Sequence, residues 1–158
     1  MIRRLPALLL LTALPALAAP PDAALVERGR YLAQIAGCHD CHSPGFAASA
    51  GKSAPDQWFT GDRLGFSGPW GTTYPSNLRR AIGLKTLPDW KTYARTAVLR
   101  PPMPYWALNA MTDADLEALW HYTRALGPAG EAAPAALPPG TEAPLPVFRL
   151  VLPAAATP

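Results

Sequence analysis

The sequence contains few of the residues that build most metal sites and catalytic sites. Among its 158 residues there are two cysteines, three histidines and three methionines. A structural zinc site commonly takes two Cys-x-x-Cys pairs or a downstream pair of histidines, and this chain has a single cysteine pair. No internal repeat is present, and after the N-terminus no apolar run is long enough to cross a bilayer. These absences leave one short cysteine motif to carry most of the chemistry.

Both cysteines lie in the stretch Cys38-His39-Asp40-Cys41-His42, which reads CHDCH. Cys-x-x-Cys-His is the attachment signature of c-type haem. The two thiols add to the porphyrin vinyl groups as thioethers, and their spacing lets one helical turn present both sulfurs to the same edge. His42 follows directly, so its imidazole can take an axial position on the iron. The motif predicts one covalent haem c, held through Cys38 and Cys41, with His42 as an iron ligand.

Three other chemistries use two cysteines at this spacing. A thioredoxin-like redox pair needs a preceding strand in a βαβ unit, whereas the residues before Cys38 have a helical pattern. A zinc site needs more ligands, and His121 has no other histidine near it. A disulfide from Cys38 to Cys41 would close a loop too small to stabilise the fold much. The sequence context favours haem over these three.

Residues 1–19 have the pattern of a secretory signal peptide. Arg3 and Arg4 precede an apolar stretch over residues 5–17, which ends in the small-x-small pattern Ala-Leu-Ala. A retained membrane anchor is the alternative, but the apolar run is short for a span and contains two prolines. We predict a cleaved signal peptide, a periplasmic location, and no membrane span in the mature chain.

The net charge depends on this cleavage. The full chain has 14 Lys and Arg against 11 Asp and Glu, and loss of Arg3 and Arg4 leaves 12 against 11. Two haem propionates would then make the holoprotein slightly acidic. The sequence pI of 9.1 therefore overstates how basic the mature protein is, and nucleic acid is not indicated as a partner.

Residues 20–127 are predicted to form one all-α domain, with three to four helices around the haem and long irregular loops. Apolar residues recur at helical spacing in three segments. The predicted helices cover about residues 23–36, 88–98 and 113–126. Their predicted inner faces are Leu25, Gly29, Leu32, Ala33 and Ala36; Trp90, Tyr93, Ala94 and Ala97; and Leu116, Leu119, Trp120, Thr123 and Leu126.

Capping residues support the first and last of these helices. Asp22 is a suitable N-cap for the first, and Thr112 with Asp115 resembles a capping box at the start of the last. Gly29 lies in the middle of the first helix, where glycine costs about 1 kcal/mol relative to alanine. Either a close helix crossing requires it, with Trp120 or a neighbour packed against it, or it is a tolerated surface glycine.

Residues 43–86 show little periodicity and contain many glycines. So long a loop in a compact domain is unusual, unless the loop wraps a cofactor. Its aromatic residues could lie on a flat apolar group, and Trp70, Tyr74 and Asn77 carry hydrogen-bond donors. We therefore predict that these three residues bind the haem, one or more of them through a propionate. Ordinary loop anchoring is the alternative for each.

Residues 128–158 differ in composition from the rest of the chain. They hold eight prolines, many alanines, and only Glu131, Glu142 and Arg149 as charges. This composition predicts an extended or partly disordered tail. Residues 145–152 are apolar enough to dock as a strand-like strap, either on this domain or on a partner.

The second axial position on the iron has four candidates, Met103, Met111, His39 and His121. His39 lies between the two tethered cysteines, and His121 would have to point away from the inner face of its helix. Met111 directly precedes a helix N-cap, where an apolar residue usually packs against Leu116 as a hydrophobic staple. Met103 is flanked by three prolines, which stiffen an extended backbone. These arguments favour Met103 as the ligand, and a packing role in the core is its alternative.

Three further stretches resemble the monohaem modules of cytochrome c subunits that serve membrane-associated alcohol, aldehyde and sugar-acid dehydrogenases. They are RGRYL at residues 28–32, GTTYPSN at 71–77, and MPYW at 103–106 running on to MTDADL at 111–116. The order of helix, CxxCH, long loop, methionine loop and amphipathic last helix is similar to that of class I cytochromes c. The resemblance covers about residues 25–127. It implies the cytochrome c fold, thioethers at Cys38 and Cys41, His42 as the proximal ligand and Met103 as the distal one.

The chain departs from those subunits in three ways. We expect one module where they often have three, a shorter stretch before the methionine, and no C-terminal anchor. These departures leave the identity of the redox partner undetermined.

A backbone carbonyl is expected to accept the ring N–H of His42 and so orient the imidazole.

The resemblance implies His42 and Met103 as the two iron ligands, and this pair indicates an electron-transfer function. With both axial positions filled, the iron has no open site for a substrate and can change only its oxidation state. We predict a periplasmic electron-transfer c-type cytochrome that is not an enzyme. Its partners would be redox proteins: a dehydrogenase as donor, and an oxidase or another cytochrome as acceptor. A fixed electron-transfer subunit of a dehydrogenase or oxidase complex is one alternative, and a haem sensor or peroxidase-like enzyme with a vacant sixth position is the other.

One segment of the chain is rich in basic residues. Between residues 79 and 100 the only acidic residue is Asp89, against six that are basic: Arg79, Arg80, Lys85, Lys91, Arg95 and Arg100. Such a patch could steer an acidic partner at moderate salt. A solvated helix face is the alternative.

Overall fold

The computed structural model of the chain describes residues 22–152. The predicted signal peptide lies outside the described residues, as do residues 20–21 and 153–158. Within the described range there are six α-helices, more than the three to four predicted: α1 (Ala23–Ile35), α2 (Cys38–His42), α3 (Leu78–Ala81), α4 (Leu87–Thr96), α5 (Tyr105–Ala110) and α6 (Asp113–Ala125). A short 3₁₀ helix covers Pro55–Gln57, and the strands are β1 (Gly65–Gly68), β2 (Gly71–Thr73) and β3 (Val147–Arg149). None of the helices among residues 22–152 combines the length and the apolar character needed to cross a membrane.

The first and last helices match their predicted bounds to within one residue. α1 begins after Asp22, whose carboxylate accepts the N–H of Ala24 at 2.9 Å. α6 begins after Thr112, whose hydroxyl oxygen accepts the N–H of Asp115 at 3.1 Å and donates to the Asp115 carboxylate at 2.9 Å. Both caps therefore satisfy amide groups that the first turn of a helix leaves without partners.

α1 and α6 cross at Gly29, which is buried. A methyl group on Gly29 would collide with the carbonyl of Ala118 and lie 2.6 Å from the Cβ of Tyr122, so the two helices approach closely only because this residue is glycine. The crossing is surrounded by the first core cluster: Leu32, Ala33, Phe59, Ala118, Leu119 and Tyr122. The predicted crossing is confirmed, and the contacts come from Ala118 and Tyr122, not from Trp120 itself.

α4 packs against α6 and α5 around a second core cluster. This cluster consists of Ile82, Trp90, Ala94, Leu108 and Leu116. The indole N–H of Trp90 donates to the carbonyl of Leu116 at 2.8 Å and joins α4 to α6. Tyr93, predicted to face inward, is 39% exposed. Its ring stacks beside that of Trp90, and the Lys85 ammonium lies 5.2 Å above it, so the ring stays at the surface.

A small sheet departs from the all-α prediction. β1 and β2 form an antiparallel hairpin that pairs Phe66 with Thr73, and β3 joins β1 in parallel, pairing Phe66 with Phe148. The strand order is β2-β1-β3. β1 and β2 together contain three glycines, which have no side chain to show the alternation of polar and apolar residues by which strands are recognised. The fold is therefore mostly helical, with a three-stranded sheet.

Residues 128–152 run in extended conformation along the domain. This whole segment, which includes residues 145–152, is named the strap. Leu137 and Thr72 exchange two backbone hydrogen bonds of 2.9 and 3.0 Å. The Asn77 amide donates to the carbonyls of Ala129 and Glu131 at 2.8 and 3.0 Å. These contacts dock the first part of the strap on this domain. The segment over residues 145–152 docks here as well, because β3 pairs with β1, and this is one of its two predicted arrangements. Several of its large apolar residues remain exposed: Leu145, Phe148, Leu150, Val151 and Leu152.

Much of the basic segment between residues 79 and 100 is engaged in contacts within the protein. Lys91 pairs with Glu117 at 3.0 Å, and Arg95 pairs with Asp113 at 2.6 Å. Arg79 is buried, and its guanidinium donates to four backbone carbonyls, those of Pro55, Asp56, Trp58 and Leu126, at distances between 2.6 and 3.2 Å. The exposed basic surface is accordingly smaller than the sequence suggests.

Candidate haem site

The CHDCH stretch forms the five-residue helix α2. It begins after Gly37, whose left-handed backbone (φ 69°) turns the chain sharply away from α1. Cys38 and Cys41 are half-buried and both thiols are free. Burial raises the pKa of the Cys38 thiol to about 11 and also raises the pKa of Cys41. The two thiols therefore lie one helical turn apart and are protonated at neutral pH.

His42 is buried, and its ring is oriented by a backbone carbonyl. Its Nδ1 lies 2.7 Å from the carbonyl oxygen of Ser76. Burial lowers the pKa of His42, although the hydrogen bond to Ser76 acts in the opposite direction. A carbonyl only accepts, so Nδ1 must carry the proton, and in the neutral ring Nε2 then has a free lone pair. This tautomer is the one in which Nε2 can bind a metal ion.

The two methionines considered as second ligand lie in different surroundings. Met103 is half-buried and packs against the second core cluster alone, whereas Met111 packs against both clusters. Met111 lies between α5 and the Thr112 cap, and Leu116 belongs to one of the clusters that it contacts. This packing agrees with the hydrophobic staple predicted for Met111.

Residues 71–77 connect helix α2, which ends at His42, with the loop that carries Met103. The Thr73 hydroxyl donates to the carbonyl of Pro101, two residues before Met103, at 2.7 Å. Three residues further along the chain, Ser76 accepts the His42 ring N–H. One short segment therefore contacts both candidate ligand regions, the end of α2 and the Met103 loop.

The three predicted propionate contacts differ in their hydrogen bonds. The indole N–H of Trp70 donates to the carbonyl of Phe66 at 3.3 Å, inside the β1–β2 hairpin. Both amide hydrogens of Asn77 are used on the strap, and its amide oxygen accepts the N–H of Arg80 as an N-cap of α3. The Tyr74 hydroxyl makes no hydrogen bond among residues 22–152. Tyr74, Asn77 and Arg80 share the lining of a cavity of about 480 Å³ between this segment and the strap.

Sequence reasoning missed His39 as an organising residue. His39 is 2% exposed, and its two ring nitrogens lie 2.7 Å from the Ser43 hydroxyl and 3.0 Å from the Tyr122 hydroxyl. The rings of Phe46 and Phe59 each lie 4.6 Å from the imidazole, measured between centroids. Tyr122 is 83 residues away in the chain. Nothing near His39 in the sequence points to such a partner.

The donors present suit a covalently bound haem. Two half-buried thiols flank one turn of helix, and a histidine with a free Nε2 follows directly. The Met103 thioether is available on a separate loop. Within the described part of the chain, no three His, Cys, Asp or Glu side chains gather as a metal site. Haem iron needs only one histidine and one thioether from the protein, which this set provides.

Comparisons with known proteins agree with these motifs. The chain is 31% identical to a nicotinate dehydrogenase subunit of Pseudomonas putida over an alignment of 125 positions, 72% of this chain and 10% of the relative. It is 32% identical to the fructose dehydrogenase cytochrome subunit of Gluconobacter japonicus, covering 61% of this chain and 20% of the relative. It is 34% identical to the cytochrome c subunit of the quinone-type alcohol dehydrogenase of Gluconacetobacter polyoxogenes, covering 68% and 23%.

The chain spans between a tenth and a quarter of the length of these relatives. No protein-family model and no solved structure matches it significantly. The names of the relatives support an electron-transfer role. The resemblance predicted from the motifs is confirmed: over most of its length, the chain is homologous to cytochrome c subunits of dehydrogenases.

Proposed function

We propose that this protein is an exported, periplasmic c-type cytochrome that transfers single electrons through one haem c. Cys38 and Cys41 would hold the haem as thioethers, and His42 and Met103 would be the two iron ligands that the protein supplies. The observation that carries the proposal is the 2.7 Å contact between His42 Nδ1 and the Ser76 carbonyl. This contact leaves Nε2 free to bind iron, directly after two cysteines at the attachment spacing.

Bound haem supplies a one-electron ferric/ferrous couple. The residues of this chain would hold the haem that carries this couple and would exclude substrates from its iron. The Ser76 carbonyl accepts a hydrogen bond from His42 Nδ1–H and fixes the ring, and the Thr73 hydroxyl donates to the Pro101 carbonyl and so joins the Met103 loop to the same segment. With His42 and Met103 both bound to the iron, no position on the metal would be left for a substrate, and the protein would act as a carrier.

The propionates are proposed to meet the segment that contains Trp70, Tyr74 and Asn77. Tyr74 is the strongest of these candidates, because its hydroxyl is not used by another group among residues 22–152. The Trp70 and Asn77 donors already bind backbone carbonyls. For these two residues we propose a supporting role, in which they hold the hairpin and the strap around the haem.

A test of this function begins with expression of the chain together with a haem-attachment system. One haem per chain is expected, resistant to extraction with acidified acetone and measured as the pyridine haemochrome. Colourless protein, or pigment that is extracted, would contradict the proposal.

The ligand assignment is tested with Met103→Ala and Met111→Ala. Only Met103→Ala should abolish the weak far-red band of methionine-bound ferric haem and allow the ferrous form to bind carbon monoxide promptly. Met111→Ala is the matched control, since it removes a methionine that packs against both core clusters. If the control opens the site and Met103→Ala does not, the assignment of Met103 is wrong. Prompt binding of carbon monoxide by the parent would favour a sensor or a peroxidase-like enzyme.

A second candidate is a fixed electron-transfer subunit of a larger dehydrogenase. Two observations favour it: the relatives are named as dehydrogenase subunits, and the strap exposes five large apolar residues between Leu145 and Leu152. Native mass measurement separates the two candidates. A monomer in cell extract supports the free carrier, and co-purification with a dehydrogenase supports the subunit.

A further inference from the structure

His39 occupies the first variable position of the CHDCH motif and points into the protein. Its Nδ1 lies 2.7 Å from Ser43 Oγ, and its Nε2 lies 3.0 Å from the hydroxyl of Tyr122 on α6. Besides Phe46 and Phe59, the edge of Trp58 faces the imidazole with 5.3 Å between ring centroids. A buried polar ring of this kind is tolerated because both of its nitrogens have partners.

The hydrogen bonds continue from His39 into the loop. Ser43 Oγ also accepts the backbone N–H of Phe59 at 2.9 Å. Phe59 has a left-handed backbone (φ 62°), a conformation that residues other than glycine adopt only when their surroundings hold them. On its other side, the carbonyl of Phe59 accepts the N–H of Leu78 at 2.9 Å.

These contacts reach both His42, whose ring N–H is the donor, and Ser76, whose carbonyl is the acceptor. Ser43 follows His42 in the sequence, and Leu78 is two residues from Ser76, whose carbonyl accepts the His42 ring proton. In addition, the carbonyl of His42 accepts the N–H of Gly61 at 2.9 Å. The donor and the acceptor of the hydrogen bond between His42 and Ser76 are therefore held by one connected set of contacts, which starts at His39.

The helix that carries the motif cannot hold this position by itself. α2 has five residues, begins at a left-handed glycine, and has no side-chain cap at its N-terminus. Helices shorter than about 12 residues are marginal in water without tertiary contacts. The contacts of His39 with Ser43 and Tyr122 supply such support from α6 and from the loop.

We propose that His39 is a positioning residue for the proximal ligand: through Ser43 and Phe59 it sets the alignment of the His42 ring N–H with the Ser76 carbonyl. The proposal rests on the function proposed above. His39 itself does not touch the iron. It acts through His42, because the orientation of a metal-binding imidazole is fixed by the group that accepts its other N–H.

The test uses two conservative variants and a matched control in the ferrous holoprotein. Ser43→Ala removes the group that joins His39 to Phe59, and Tyr122→Phe removes the hydroxyl that bonds His39 Nε2. Thr123→Val is the control, since it removes a neighbouring buried hydroxyl that bonds only to the Leu119 carbonyl within α6, at 2.8 Å. The measured quantity is the rate at which the His42 Nδ1 proton exchanges with solvent, followed by NMR.

We expect exchange at least about fivefold faster than in the parent for Ser43→Ala and for Tyr122→Phe, because loss of a hydrogen bond worth about 1 kcal/mol changes an equilibrium by roughly that factor. The control should stay within about twofold of the parent at a similar loss of stability. Equal acceleration in all three variants would reduce His39 to a general packing role and overturn the proposal. Exchange that stays at the parent rate in the first two variants would overturn it as well.

Substitutions of His39 separate its two contacts. In His39→Asn the amide can reach the position of Nδ1 and keep the contact with Ser43, whereas in His39→Gln it can reach the position of Nε2 and keep the contact with Tyr122. Because the contact with Ser43 leads directly to Phe59, His39→Asn should exchange more slowly than His39→Gln. The reverse order would contradict the proposed route. If no haem is attached to the parent, the proposed function fails; if haem is attached and exchange is unchanged, only the role of His39 fails.

Discussion

His42 Nδ1 lies 2.7 Å from the carbonyl oxygen of Ser76, 34 residues further along the chain. This hydrogen bond fixes the tautomer of the buried imidazole and connects the cysteine motif with the segment that precedes α3. The same segment holds the methionine loop, through Thr73 and the Pro101 carbonyl. The candidate site therefore depends on residues 71–77 as much as on the CHDCH motif.

The first prediction concerns the hydrogen bond from the Thr73 hydroxyl to the Pro101 carbonyl. Thr73→Val removes the hydroxyl that donates to Pro101 and keeps a residue suited to a strand. Loss of one such hydrogen bond costs about 1 kcal/mol, so the Met103 loop should open about fivefold more often. With Met103 as the proposed second iron ligand, imidazole titrated into the ferric protein should then displace it with an apparent affinity about fivefold higher than in the parent.

Thr96→Val is the control for that experiment. The Thr96 hydroxyl donates to the Thr92 carbonyl within α4, at 2.9 Å, and so has no bond to the methionine loop. Its imidazole affinity should equal that of the parent. If both threonine variants bind imidazole equally well, the bond from Thr73 to Pro101 does not restrain the loop.

A second prediction concerns the helix crossing. Gly29→Ala adds a methyl group that collides with the Ala118 carbonyl. The higher helix propensity of alanine is worth about 1 kcal/mol, but overpacking at a backbone contact costs about 1–3 kcal/mol or more. We expect the free energy of unfolding to fall by about 2 kcal/mol, measured by guanidinium unfolding. Gln34→Ala, at an exposed position of the same helix, should change it by less than about 0.5 kcal/mol. A gain in stability for Gly29→Ala would show that the crossing can relax.

Local chemistry explains which parts of the fold could be predicted. Residues within one helical turn determine the caps at Asp22 and Thr112 and the bounds of α1 and α6. The helical conformation of the CHDCH stretch is local in the same way. The acceptor at Ser76 could not be identified, because a backbone carbonyl has no side chain to mark it. The β1–β2 hairpin was missed because its glycines carry no polar or apolar pattern.

The role of His39 was missed for a different reason. Its partner Tyr122 comes from α6, and its ring is enclosed by aromatic residues that follow His39 by 7 to 20 positions. A polar residue that becomes buried through distant contacts leaves no periodic signal in the sequence. The same holds for Arg79, whose partners are backbone carbonyls from two separate segments, residues 55–58 and Leu126.

A third prediction compares two neighbouring arginines. Arg79 is buried and bonds to four carbonyls, whereas Arg80 is exposed at the next position of α3. Arg79→Gln should lower the free energy of unfolding by about 3 kcal/mol, since several buried carbonyls lose a charged donor. Arg80→Gln removes the same charge and should change it by less than about 0.5 kcal/mol. Similar losses in the two variants would mean that net charge, and not the carbonyl contacts, sets the effect.

The last prediction uses the burial of His39, which lowers its pKa to about 4 from an ordinary value of 6.5. Between these two pH values the unfolded chain binds a proton on this residue and the folded chain does not, so the free energy of unfolding falls as the pH is lowered from about 6.5 to about 4. The whole loss is about 3 kcal/mol, and no part of it occurs above the unfolded value. The groups that face His39 do not reverse this sign: burial raises the pKa of Tyr122, which keeps its hydroxyl neutral, and the charge of His42 lowers the pKa of His39 in the same direction as burial does. Unfolding of the holoprotein at pH 7 and at pH 4.5 measures this loss in the free energy of unfolding.

Two variants test whether His39 causes the loss. His39→Phe should remove most of the difference between the two pH values. His121→Phe, which replaces a half-buried histidine beside Trp120, should retain that difference. An unchanged difference in His39→Phe would assign the acid sensitivity to other groups.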